Sequence, residues 1–313
     1  MPLNNYCFFV LAPLLMFGCT TTPSKLLDTP TEGTITVAVD ESFKPLMEAQ
    51  FETFGMLYPA SNIVVRYVPE GKAYQLLLAD SVRLAVGTRK LTTNELATFN
   101  KLKITPTQLK IASDAVAFIC NTTNKDTALS TLQMQALLTG KATTWHTLNG
   151  SNNNNPVAVV FDNAQSSTAR YLKEKFLPTT EFPKNMYALK NNLEVINYVA
   201  THPNSIGVIG TSWISDGDDP TSDSLRKLVT VMNLQTKDVK TPNEYYQPYQ
   251  AYLSMDKYAL TRSVYIIGRE SRHGLGTGFT AFVHGEKGQR IILKSGLLPA
   301  KVPERIVGFA NND

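Results

Sequence analysis

Short apolar, β-branched runs alternate with segments of helical period along nearly the whole chain, and this alternation constrains the fold more than any other feature. Residues 35–39 predict a strand, which Asp40-Glu41-Ser42 interrupts before Met47, Phe51 and Phe54 recur at helical spacing. A second strand is predicted over 63–68, a short helix over 73–78 after Gly71, and a third strand where Val82, Leu84 and Val86 alternate. Further on, the run 115–120 predicts a buried strand, followed by a helix over 131–138, a polar loop at 151–155 and a strand over 157–161. Ser166-Ser167-Thr168 opens another helix with Tyr171, Leu172, Phe176 and Leu177 on its apolar side. Short strands at 206–209 and 264–267, then helical segments at 277–283 and 289–294, complete the pattern. Strands separated by helices imply βαβ units and mostly parallel sheets.

At 313 residues the chain is long enough for two lobes, each with its own core. Apolar residues make up 43% and charged residues 18%, which excludes a disordered chain. The net charge of +4 is mild, and no dense Lys/Arg block is interleaved with aromatics, so nucleic acid is not an expected partner. There is no repeat of fixed period, which sets solenoids and propellers aside.

The first eighteen residues carry no charged side chain and hold an apolar run from Cys7 to Phe17, the length of a signal-peptide core and too short to span a bilayer. The run ends in Met16-Phe17-Gly18-Cys19, which resembles a bacterial lipobox with Cys19 as the lipidated residue. An ordinary secretory leader or a buried N-terminal helix is the alternative. Residues 1–18 are read as leader and 19–33 as a tether. Loss of Cys7 and lipidation of Cys19 would leave Cys120 as the only free thiol, in an apolar run where a packed, inert side chain is expected.

Motifs for catalysis are missing. The sequence has no Gly-x-Ser-x-Gly, Cys-x-x-Cys, His-Glu-x-x-His or Walker loop, and its four histidines, His146, His202, His273 and His284, lack metal-ligand spacing. No enzyme, cofactor or metal site is expected.

Five stretches, in order, resemble the phosphate-binding-protein family of bacterial ABC importers. They are Asp80 to Leu91 with Glu95, Leu138-Thr139-Gly140-Lys141-Ala142-Thr143-Thr144-Trp145, Ser205-Ile206-Gly207-Val208-Ile209-Gly210, Leu260 to Ile267, and Phe282 through Gly288-Gln289 to Pro299. The resemblance implies an α/β, two-lobed periplasmic binding protein of type II, each lobe a mostly parallel sheet flanked by helices, with a ligand cleft between them. It places lobe 1 at 34–116 plus 258–313 and lobe 2 at 117–257. It also implies a monomeric periplasmic protein that captures phosphate or a similar oxyanion for an ABC permease, and the Cys19 reading makes it a lipoprotein anchored in the cell envelope. The same fold turned to another solute or to an envelope protein partner is the first alternative, and an enzyme the second.

Ligands of open α/β sheets sit beyond the carboxyl ends of strands, where helix N-termini offer unpaired N–H groups to an anion. Two stretches have that form. Asp40-Glu41-Ser42-Phe43 resembles the family's first ligand loop, with Ser42 and the Phe43 amide on the oxyanion, and Pro45 is tolerated in the first helical turn. Gln165-Ser166-Ser167-Thr168 resembles the phosphate loop of the second lobe. For both, plain N-capping is the other reading. Register adds Gly71-Lys72 and Thr88-Arg89, where Arg89 serves either as a bidentate clamp or in a structural ion pair. The family commonly carries an Arg shortly before the second serine loop, whereas this chain reads Val160-Phe161-Asp162-Asn163-Ala164-Gln165. Asp162 in that place would either accept a proton from a partly protonated phosphate or reject dianions.

Overall fold

The computed structural model describes residues 28–302 apart from 180 and 239. The leader 1–18, Cys7, Cys19 and most of the tether lie outside the described residues. In the first lobe β1 (Gly33–Asp40) leads through a 3-10 turn, Glu41–Phe43, into α1 (Lys44–Leu57), followed by β2 (Ser61–Val68), α2 (Glu70–Leu78), β3 (Leu84–Gly87) and α3 (Thr93–Lys101). The long strand β4 (Thr107–Asn121) carries the chain into the second lobe. There follow β5 (Ala128–Leu129), α4 (Thr131–Leu138), α5 (Trp145–Asn149), β6 (Ala158–Phe161), α6 (Ser167–Phe176), β7 (Met186–Ala188), α7 (Asn192–Thr201) and β8 (Ser205–Gly210). A 3-10 turn, Thr211–Trp213, precedes α8 (Pro220–Lys227), β9 (Val229–Val231), β10 (Asn233–Gln235), β11 (Tyr245–Tyr246) and α9 (Gln250–Ser254). The chain returns in β12 (Thr261–Gly268) and closes with α10 (Leu275–His284), α11 (Glu286–Lys294) and β13 (Leu298–Pro299).

The main sheet runs β2-β1-β3-β12-β4-β8-β6-β7, with β13 and β9 also paired to β4, and β11-β10-β5 form a small second sheet. Its flanks are parallel, β1 with β2 and β3 in the first lobe, β6 with β7 and β8 in the second. The expected mostly parallel sheets are therefore crossed at the centre by antiparallel pairings of β12 with β3 and β4, and of β4 with β8. β4 pairs with β12 up to Ala115 and with β8 from Val116 onward, so one strand belongs to both lobes. It is buried from Ile111 to Asn121, which is why its apolar residues run continuously instead of alternating.

Local sequence explains where helices begin. Thr92 with Glu95 and Ser130 with Gln133 make reciprocal capping boxes, and Ser166 accepts the Ala169 N–H at the start of α6. In the first lobe Phe51 stacks on Phe279 at 4.7 Å and Phe54 meets the same ring edge-on at 5.3 Å, which fastens α1 to α10. In the second, Phe118 of β4 and Trp145 share one core with Leu137 and Leu172. Cys120 is fully buried, and burial pushes its thiol up to about 12, which leaves it un-ionised. Ahead of β1, Asp28 is fixed to α10: it accepts from Leu275 N at 2.7 Å and pairs with Arg272. α10 passes so close that a Cβ on Gly278 would lie 1.8 Å from the Pro30 carbonyl oxygen.

Candidate functional site

The two lobes meet where β1 and β6 end and where Asp114 of β4 faces Arg262 of β12 in the antiparallel register. Arg262 Nε donates to Asp114 Oδ2 at 2.9 Å, with both side chains nearly sealed from solvent at 2% and 0% exposure. Thr211 Oγ1 satisfies the other carboxylate oxygen at 2.5 Å. From this anchor the guanidinium reaches α6: Nη1 donates to Ser167 Oγ at 3.0 Å and to Thr168 Oγ1 at 3.3 Å. The Phe43 ring lies 5.2 Å beneath it. Nη2 lies 2.9 Å from the same Asp114 Oδ2, within ion-pair range, but makes no well-aligned hydrogen bond. Gly210 makes room for it, because a Cβ there would stand 2.9 Å from Nη2 and 3.2 Å from Ser42 Cβ.

Around this cation the lobes clasp each other through carboxylates. Asp162, just beyond β6, accepts from Ser166 Oγ at 2.6 Å, from Ser42 Oγ of the other lobe at 3.4 Å and from Asn192 Nδ2 at 3.3 Å. Asp40, at the end of β1, accepts from Ser42 N at 3.2 Å and from Ser167 N of the other lobe at 3.3 Å. Glu41 accepts from the Asn192 side chain at 2.6 Å. Burial, with the charges of Glu70 and Asp162 added, pushes Asp40 up to about 7 against the opposing pull of Ser167 and Arg262. Burial likewise raises Asp162 and takes Glu41 to about 7. At the mouth of the seam a cavity of about 160 Å³ is lined by Asp40, Glu41, Asp162, Ser166 and Lys190.

A second set of bonds joins the lobes beside this centre. Arg170 of α6 donates from Nε to Glu70 Oε2 and from Nη2 to Thr88 Oγ1, both at 2.6 Å, while Glu70 Oε1 accepts the Thr88 N–H. Burial alone would raise Glu70, but Arg170 and the Thr88 bonds hold it below the usual carboxylate range. Gly71 N donates to Gln165 O across the seam at 3.2 Å.

Of the residues singled out in the sequence, Ser42, Phe43, Asp162, Ser166, Ser167 and Thr168 come together at the centre, and Gly71 and Thr88 lie in the adjoining contact. Arg89 and Lys72 are not brought to the centre. Arg89 makes a bidentate pair with Glu95 at 2.7 and 2.8 Å and lies over the Tyr74 ring, the ion-pair alternative stated above. Lys72 is exposed. The cation that reaches the serine loop is Arg262, which sequence reasoning passed over as part of a returning strand. Its signal was an Arg in one apolar run and an Asp in another, Asp114, each intolerable in a core without the other. Asp40, Glu41, Glu70, Arg170 and Asn192 were missed too, because polar residues after a strand read as turn or cap. Among the described residues no cluster of His, Cys, Asp and Glu has the geometry to hold a metal ion.

Comparison with known proteins places these features in context. The family model described as a PBP superfamily domain matches residues 27–287. The phosphate-binding protein PstS of Pseudomonas aeruginosa is 25% identical over 292 residues, covering 88% of this chain and 86% of that protein. Among solved structures, a substrate-binding protein from Clostridium perfringens with bound phosphate superposes with a TM-score of 0.72 at 21% identity, over 86% of this chain and 100% of the other. An ABC-type phosphate transport receptor from Vibrio cholerae gives 0.63 at 20% identity, over 85% and 100%. At these identities the structures establish the two-lobed fold.

Proposed function

The chain belongs to the PBP superfamily, and from that we propose that it is a solute-binding component which captures phosphate or a similar oxyanion between its lobes. The family consists of solute-binding transport components, not enzymes, and its PstS-like members are periplasmic. In this reading residues 34–116 with 258–313 form the first lobe and 117–257 the second, hinged where β4 and β12 cross. Cys19 tethers the monomeric protein to a membrane, and an ABC permease receives the solute. Among the described residues no helix is long and apolar enough to cross a membrane.

One observation carries the proposal: the buried Arg262 guanidinium, shared between an Asp of its own sheet and the Ser167 and Thr168 hydroxyls of the facing loop. A guanidinium with hydroxyls and helix-start amides is the donor set that oxyanions require. The anion would take the Ser42 hydroxyl and the start of α6 beside the Arg262 guanidinium, in place of the carboxylates that now hold them. A different solute, one that brings donors of its own, is favoured by Asp40, Glu41 and Asp162 around the mouth cavity. The test is a calorimetric titration of phosphate at pH 6, with sulfate as control, into the chain stripped of carried-over anion by unfolding and refolding. Phosphate is expected to bind in the micromolar range, about −8 kcal/mol, and Arg262→Met to abolish it. No heat and no thermal stabilisation by either anion would remove the oxyanion and leave the donor-bearing solute.

A further inference from the structure

The donors that an oxyanion would need are, in this closed arrangement, held by the protein's own carboxylates. Ser166 Oγ and Ser42 Oγ, one from each lobe, both donate to Asp162, and Asn192 Nδ2 adds a third bond. The Ser167 amide at the start of α6 donates to Asp40. Asp162 therefore receives what a ligand oxygen would receive, at the position where the resembling family commonly carries an arginine. The balance of charge points the same way. Asp40, Asp114 and Asp162 all feel the one guanidinium of Arg262; Glu41 is offset by Lys44, Lys190 stands at the cavity rim, and Glu70, within reach of Asp40, is paired with Arg170.

We propose that Asp162 is the specificity-determining residue of the cleft: its carboxylate is an internal anion seated in the donor cradle, which excludes dianions and admits a singly charged oxyanion. This inference rests on the oxyanion reading above. A dianion would have to displace a like charge from Ser42 and Ser166 in a seam that water does not screen. A monoanion meets less repulsion, and protonation of Asp162, favoured by its burial, removes the opposing charge and weakens its hold on the hydroxyls. Acid pH therefore favours uptake and alkaline pH opposes it. Asp40 and Glu41, which face the same space, add to that slope, so a pH profile alone would not single out Asp162.

The decisive measurement is the affinity for inorganic phosphate at pH 6 and pH 8 in the full chain, in Asp162→Asn and in Asp162→Ala. The Asn variant keeps the shape and an acceptor for Ser166 Oγ, and thermal unfolding of each variant checks its fold. At pH 8, where the dianion prevails, the variants are expected to bind phosphate at least tenfold more tightly than the parent chain, with a smaller gain at pH 6. If the parent chain binds phosphate and both variants bind it more weakly, Asp162 is a ligand-accepting carboxylate; if they bind it equally, Asp162 takes no part in selection; either result overturns this inference alone. If neither parent nor variants bind at either pH, the oxyanion reading falls and takes the inference with it.

Discussion

At the scale of single residues the Arg262–Asp114 pair decides most. Two sealed charges owe their stability to each other, and removing one leaves the other desolvated without compensation, a loss of about 3–5 kcal/mol. Asp114→Ala is expected to lower unfolding stability by about 3 kcal/mol in urea denaturation, while the apolar double change Asp114→Leu with Arg262→Met should recover much of it. A single-mutant loss under about 1 kcal/mol would show that the pair is dispensable. Residues of this kind also mark the limit of sequence reading. Ser166 was legible as a helix cap, a role with a local cause that it fills at Ala169 N. Ser42, Ser167 and Thr168 were reached only through the family resemblance, and Ser42 caps no helix, donating instead to Asp162. Arg262 finds Asp114 148 positions away, and no local rule selects that partner. Arg89 was legible as a cation, but Glu95 six residues on captures it first.

Among elements, α2 and α6 hold the lobes together from opposite sides of the seam. Arg170 projects from α6 onto Glu70 in the first turn of α2 and onto Thr88 at the end of β3. Glu70 is only 1% exposed, so an Arg170→Met change strands a buried carboxylate on the first lobe. The expected result is a wider ligand-free particle in small-angle scattering and a stability loss of about 1–3 kcal/mol, with Glu70→Gln in the same background restoring part of it. An unchanged radius of gyration would show that β4 and β12 alone fix the closed arrangement. The short parallel flanks of each lobe were readable because each strand and helix carries its own period. β4 was only half readable: its buried second half announced itself, whereas Lys110, Ser113 and Asp114 broke the apolar pattern in the first half. Those residues answer to β12 and to the seam, so their logic is tertiary.

For the molecule as a whole, two lobes in a fixed order follow from strand and helix alternation, but the charge state of their contact does not, since it depends on groups 82 to 151 residues apart. That contact makes stability depend on pH with a determinate sign. Asp40 and Glu41 are held at about 7 in the folded chain, against ordinary values of 3.8 and 4.5. Between about pH 4 and pH 7 the folded chain thus binds more protons than the unfolded chain, and stability falls as pH rises through this window, then levels off. Each unit of displacement is worth about 1.4 kcal/mol. Glu70, Glu95 and Asp28, all held below their ordinary values, act in the opposite sense only at more acid pH, so a comparison of pH 5 with pH 8 avoids them. His284, lowered mainly by burial, opposes the trend slightly near pH 6. The ligand-free chain should melt at a higher temperature at pH 5 than at pH 8, and Asp40→Asn, which removes the largest of these displacements, should narrow the gap chiefly by stabilising the protein at pH 8. A melting temperature at pH 8 equal to or above that at pH 5 would mean that these carboxylates ionise without resistance, and that the lobes stand apart in the unliganded protein.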